Sequence, residues 1–274
     1  MRRRMILLMS LLVLGSSLPG TTQGKSKKGS KSAAECTPFA YDNGPVGQST
    51  WCGGCNDGSV KFQAPINIPT NIPPSEQPVI QFQQYNDPTE LVIYHGNPYN
   101  LKIDYKAGTS SIKIGNDTFK LNEFHFHRPS EEAVDNHRYP MVVHLVHQKA
   151  GCPAGNAGCV AAVAILIEQG EPSQKTNELL NILLQHFPPP DGPQPGVKIT
   201  VEGLLPPNSG NAGYYRYDGS LTTPPCTGNL TFYMLKEHLK FSAEQLAQFE
   251  KHYPSPNARD IQPLNGRAIK NRLP

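Results

Sequence analysis

After the apolar run from Met5 to Leu14, this chain of 274 residues has no stretch that could span a membrane, since a bilayer crossing needs about 20 consecutive apolar residues. It also lacks a clustered positive face. Lys and Arg number 25 against 22 Asp and Glu, but Arg2, Arg3, Arg4, Lys25, Lys27, Lys28 and Lys31 all precede Cys36, with only Glu35 opposing them. Residues 36–274 therefore carry about −3, which excludes a basic nucleic-acid footprint. No period runs through the 24 glycines, so a collagen-like chain is excluded. A Cys-based zinc ribbon needs two paired CxxC motifs, and only Cys52 and Cys55 make one.

What is abundant is proline (27) together with glycine (24), close to a fifth of the chain. That share disfavours a helical bundle and suits strands joined by many turns. Three arginines, the apolar run and then Ser16, Ser17, Pro19 and Gly20 give residues 1–24 the form of a secretory signal peptide, and so imply a secreted or periplasmic protein. Residues 25–35, KSKKGSKSAAE, have no apolar periodicity and read as a disordered basic linker. Beyond Cys36 no repeat or long linker appears, which predicts one domain over 36–274. Six cysteines, an even number, fit an oxidising compartment. Cys152 and Cys159 bracket a Gly- and Pro-rich loop that a disulfide would staple; for Cys36, Cys52, Cys55 and Cys226 spacing permits three pairings.

Alternating or β-branched runs predict strands at 101–105, 111–114, 118–128, 141–149, 160–168, 197–201, 213–217 and 228–235. These suit one extensive sheet. Helical spacing covers 174–187 and 243–252, with a capping-box pattern at Ser242 and Gln245; both helices end against proline, at Pro188 and Pro254. Two strand-like segments carry the chemistry, LNEFHFHRPSEE and MVVHLVHQ. His125 and His127 are two apart and project from one face, roughly 6.6 Å apart along a strand. His144 and His147 are three apart, so alternation puts them on opposite faces and only one can join the first pair. Three neutral nitrogen ligands would leave zinc's fourth position open to water, and such a metal supplies hydroxide near neutral pH.

The motifs EFHFHRPSEE, HLVH, GSLTTPPC, QAPINI and IQPLNGR, in that order, resemble those of the secreted α-class carbonic anhydrases, over nearly the whole chain from Cys36. The resemblance implies a mainly β (α+β) single domain, with a large twisted, mostly antiparallel central sheet and peripheral helices. It implies Zn2+ as cofactor, held by His125, His127 and His144, with His147 a non-ligand. It implies reversible hydration of carbon dioxide to bicarbonate by zinc hydroxide, oriented by Thr222, whose hydroxyl donates to Glu131. The substrate wall would include Val146, Ala162, Leu221, Thr223 and Phe232. Since Ala162 and Phe232 stand where relatives often carry larger Val and Trp, a roomier pocket for sulfonamide inhibitors is expected; anions are the other inhibitor class. Glu123 would support His125, Gln63 would lie in the metal's outer shell, and Tyr41 would order solvent. The same likeness pairs Cys226 with Cys55, and with it Cys36 with Cys52. Asn116 and Asn229 begin glycosylation sequons.

Two departures stand out. The family's proton-shuttle histidine is replaced by Asn97, which carries no proton near neutral pH, leaving His95 or Tyr41 as substitutes and predicting turnover limited by proton transfer. The family's glutamate acceptor for His144 is replaced by Val142, which predicts weaker zinc retention. These departures keep a catalytically silent binding module on the same scaffold as an alternative, although no ligand histidine is lost. A zinc hydrolase of small esters is another, since it would use the same hydroxide.

Overall fold

The computed structural model describes residues 36, 38–94, 101–152, 157–186 and 192–274. Strands dominate. The longest path through the main sheet runs Gly192–Ile199, Thr89–Tyr94, Lys102–Asp104, Asp117–His127, Met141–Lys149, Val160–Gln169, Gly228–Leu235, Tyr214–Ser220 and Lys270–Arg272. Neighbours on that path are antiparallel except Val160–Gln169 with Gly228–Leu235, which run parallel. The mainly β, twisted-sheet class expected from the sequence is what is observed. The strands expected at 111–114, 141–149 and 228–235 have the observed limits.

Other boundaries differ. The strand expected at 197–201 begins earlier, at Gly192, and Val201 instead opens a 3-10 turn, Val201–Leu204. Ile80–Gln83, Leu239–Phe241 and Lys270–Arg272 were not expected; the first two alternate apolar with polar residues only briefly, and the third has no apolar residue. Thr89–Tyr94 escaped because its central Leu-Val-Ile is apolar without a break.

Alternation divides the core between the two faces of the sheet. Leu145, Val163, Ile165 and Phe126 pack in the larger cluster, whereas Val142, Ala162, Ala164 and Phe232 pack in a smaller one opposite. Helix α1, Gln174–Gln185, buries Leu179, Leu180, Leu183 and Leu184 on the larger side; its N-cap Ser173 accepts from Thr176 N at 3.1 Å. Helix α2, Ala243–His252, starts with the expected capping box, Gln245 N donating to Ser242 Oγ at 3.2 Å and Ser242 N to Gln245 Oε1 at 3.0 Å. Pro188 lies outside the described residues, as do the signal-peptide and linker segments.

A register shift between Leu121 and Glu123 inserts Asn122 into the pairing with Met141–Lys149. Such a bulge changes which face the following side chains take: Leu121 and Phe124 share the larger cluster although they are three apart, and Glu123, His125 and His127 turn to the smaller side. His147 falls on the larger side. Its buried ring donates from Nδ1 to Ala161 O (3.3 Å) and accepts at Nε2 from the Tyr85 hydroxyl (2.6 Å). Burial pushes its pKa down to about 4, so it stays neutral in the fold while the unfolded chain binds a proton below about pH 6.5. The stability it supports is full above that pH and is lost as pH falls toward 4. Melting temperature is expected to drop over this window, and His147→Gln to flatten part of the drop; an unchanged slope in thermal melts would count against the assignment.

Candidate metal centre

His125 and His144 are direct partners across adjacent antiparallel strands, a position that brings Cβ atoms to about 4.5–5.5 Å. His127 follows on the same face. The three ring centroids lie 5.0, 5.3 and 5.0 Å apart, and one ring nitrogen from each lies within 4.8 Å of the others. Among the described residues this is the group of three suited to hold a metal.

Each ring has one nitrogen already engaged. His125 Nδ1 donates to Glu123 Oε2 at 2.9 Å, His127 Nδ1 to the Asn257 carbonyl at 2.7 Å, and His144 Nε2 to Glu132 Oε2 at 3.2 Å. These bonds fix the tautomers and leave lone pairs on His125 Nε2, His127 Nε2 and His144 Nδ1. His127 Nε2 is buried with no hydrogen-bond partner, an orphan that a cation would satisfy. The donor set, three imidazoles backed by two carboxylates and a backbone carbonyl, fits zinc.

The expected gap beneath His144 is therefore not there. Val142 accepts nothing, but the buried carboxylate of Glu132, arriving from the segment after the first histidine strand, occupies the role. Its second oxygen accepts from the Tyr217 hydroxyl at 3.0 Å. Adjacent Glu131 turns elsewhere. Its Oε1 accepts from Arg259 N at 3.0 Å, a Thr222 side-chain hydrogen bond also reaches it, and its Oε2 lies 3.3 Å from His127 Nε2 and 3.9 Å from His144 Nδ1. Burial pushes Glu131 up to about 7, against the pull of His144, Thr222 and Arg259 N. Burial, reinforced by His125 and His144, holds His127 well below the usual histidine value. Burial also opposes the charged form of His144, but Glu132, Glu131 and Glu123 outweigh it and raise that pKa.

Gln63 touches no imidazole. Its amide donates to Gly54 O at 2.9 Å, and its Oε1 accepts from Arg259 Nη1 (2.7 Å) and Ser220 Oγ (3.2 Å). It thus braces Arg259 rather than the metal shell expected of it. Arg259, which sequence reasoning missed, also donates to Ala64 O at 2.7 Å and lies over the Trp51 ring. Nothing in a lone arginine before IQPLNGR signals that role. Tyr41 packs edge-on against Trp51, and burial and the Glu131 charge hold its phenol well above its usual value, so it stays protonated at neutral pH. His95 and Asn97 lie outside the described residues.

Val146, Ala162 and Phe232 sit side by side on adjacent strands, Ala162 being paired with both of the others. Phe232 stacks on Tyr217 (4.9 Å) and stands 6.0 Å from the His144 ring. Leu221 is 37% exposed, at the head of the loop that holds Thr222 and Thr223. Cys55–Cys226 ties this loop to Gly53–Cys55, and Gly54 N donates to Pro225 O at 2.9 Å. Gly53 makes the approach possible: its φ is +71°, and a Cβ there would meet Pro225 at 2.5 Å. The other disulfides are Cys36–Cys52 and Cys152–Cys159.

Residues 46–273 match the family model for eukaryotic-type carbonic anhydrase. A Klebsiella pneumoniae carbonic anhydrase is 34% identical over 212 residues, 76% of this chain and 78% of the relative. Among solved structures, a Chlamydomonas reinhardtii carbonic anhydrase in complex with acetazolamide superposes with a TM-score of 0.71 at 30% identity, covering 85% of this chain and all of the other. An α-carbonic anhydrase from Thermovibrio ammonificans, in complex with the inhibitor sulfanilamide, gives 0.70 at 27% identity, covering 85% and 98%. The fold, the histidine cluster and these likenesses place the chain in the α-carbonic anhydrases, zinc enzymes that hydrate carbon dioxide. Because Cys55–Cys226 anchors the Thr222 loop, replacing both cysteines by serine is expected to cost about 2–5 kcal/mol of stability and to lower activity at temperatures where the fold persists; denaturant titration and hydration assays check the two effects.

Proposed function

We propose that this chain is an exported, zinc-dependent carbonic anhydrase, interconverting carbon dioxide and bicarbonate, with Thr222 and Glu131 as its orienting pair. The observation that carries this reading is the set of three ring nitrogens left open by Glu123, Asn257 and Glu132. His125, His127 and His144 would hold the ion. Zinc with three neutral ligands lowers the pKa of bound water to about 7 and so makes hydroxide available at neutral pH.

The protein's own groups do the rest. With its proton committed to Glu131, the Thr222 hydroxyl offers only lone pairs to other partners. It therefore accepts a hydrogen bond from the attacking hydroxyl and sets its orientation. Glu131 has to be ionised for this, which the hydrogen bonds from Thr222 and Arg259 N favour and a neighbouring cation favours further. Carbon dioxide is apolar, and Val146, Ala162, Leu221 and Phe232 offer it an apolar wall, with Thr223 beside the gatekeeper. The signal-peptide form of residues 1–24 and the three disulfides support export to an oxidising space. Among the described residues no helix is long and apolar enough to cross a membrane.

Stopped-flow hydration assays on protein of measured zinc content test the reading. Zinc-loaded protein is expected to hydrate carbon dioxide and to be inhibited by sulfanilamide; zinc without hydration overturns it in favour of a silent module. Thr222→Ala is expected to lower kcat/KM by roughly 10²-fold with zinc retained. With asparagine at position 97, imidazole buffer should accelerate turnover, and fast, buffer-independent turnover would reveal a shuttle within the protein. Ala162→Val is expected to weaken bulky sulfonamides more than sulfanilamide, whereas equal losses would refute the roomier pocket.

A further inference from the structure

Beyond taking the His144 N–H, Glu132 enters none of the steps above, yet it is fully buried and both its oxygens are engaged, by the His144 ring and by the Tyr217 hydroxyl. We infer that Glu132 is the residue that positions His144 for metal binding, a carboxylate supplied from the loop in place of one on the strand. The inference rests on the zinc reading of the three histidines.

The strand position two residues before His144 shares its face, and a carboxylate there would reach the ring. In this chain that position is Val142, fully buried in the apolar cluster with Ala64, Ile66 and Ile68. The strand therefore gives the ring packing and no acceptor. The acceptor comes instead from the segment that follows His127, and that segment is fastened at several points. Arg128 N donates to Asn257 Oδ1 at 2.6 Å, Ser130 N to Tyr139 O at 3.0 Å, Ser130 Oγ to Glu132 O at 2.7 Å, and Ala133 N to Ile66 O at 3.2 Å. Glu132 thus reaches His144 from a fixed backbone, and the Tyr217 hydroxyl holds the carboxylate from its far side. A buried carboxylate on the remote N–H makes an imidazole a stronger and better oriented ligand, and losing such a partner typically costs 10–100-fold in metal affinity.

The test measures zinc release to dipicolinate from zinc-loaded wild type, E132Q, E132A, V142E and the double variant E132A/V142E, with thermal melts of each zinc-free protein. Glutamine keeps the shape and can still accept one of the two hydrogen bonds through Oε1, but it removes the charge and puts a donor where the second oxygen stood. E132Q is expected to release zinc about 10–100-fold faster with a melt close to wild type. V142E alone should not slow release, since the His144 N–H is already taken. E132A/V142E, which moves the carboxylate to the strand, should recover slow release relative to E132A, a rescue that a packing role for Glu132 would not produce. Release from E132Q at the wild-type rate, or a slowing by V142E alone, overturns the inference while leaving the carbonic anhydrase reading intact. A wild-type protein that holds no zinc overturns that reading and the inference together.

Discussion

The site depends on how hydrogen bonds are shared out around three imidazoles. A neutral imidazole has one donor and one acceptor nitrogen, and which is which follows from the partner that takes the N–H. Here a carboxylate, a backbone carbonyl and a second carboxylate take the three N–H groups, so the acceptor nitrogens turn toward one another. A convergence of lone pairs without a cation is unfavourable, and its presence in a buried position is the clearest physical mark of what the fold is built to hold.

Around that centre the chain uses its loops for aim and its sheet for rigidity. Asn257 serves twice, its carbonyl fixing the His127 ring and its side chain tying Arg128 N and Phe126 O. Arg259, two residues on, presents its own N–H to Glu131 while its guanidinium gathers Gln63 and Ala64. One short C-terminal stretch thus sets both a ligand ring and the acid that partners Thr222. The two glutamates adjoin in sequence and diverge in duty, one toward Thr222, the other toward His144.

Much of this was legible in the sequence. His125 and His127 announce a shared face by their spacing, and the long strands around them show clear alternation. The choice of His144 over His147 was not readable from spacing, because the alternation rule says only that the two oppose each other; resemblance made that choice, and the structure brings His144 to the other two. The bulge at Asn122 was hidden because an inserted residue leaves no compositional trace, yet it decides which face the histidines take. Of the short strands missed, Lys270–Arg272 has no apolar residue to mark a buried face. Gln63 and Arg259 were misjudged or missed because their partners are far off in the chain, the two themselves lying 196 positions apart.

The position of Glu132 bears on how such chains are sorted into working and lapsed members. Judged by its strand motif alone, a protein with valine at position 142 looks as though it has begun to decay. Its geometry nevertheless puts a carboxylate against the His144 ring, from the loop and not from the strand. Whether a protein of this fold has lapsed is therefore decided in the space around the third ring, and not by the letter at any single position of the chain.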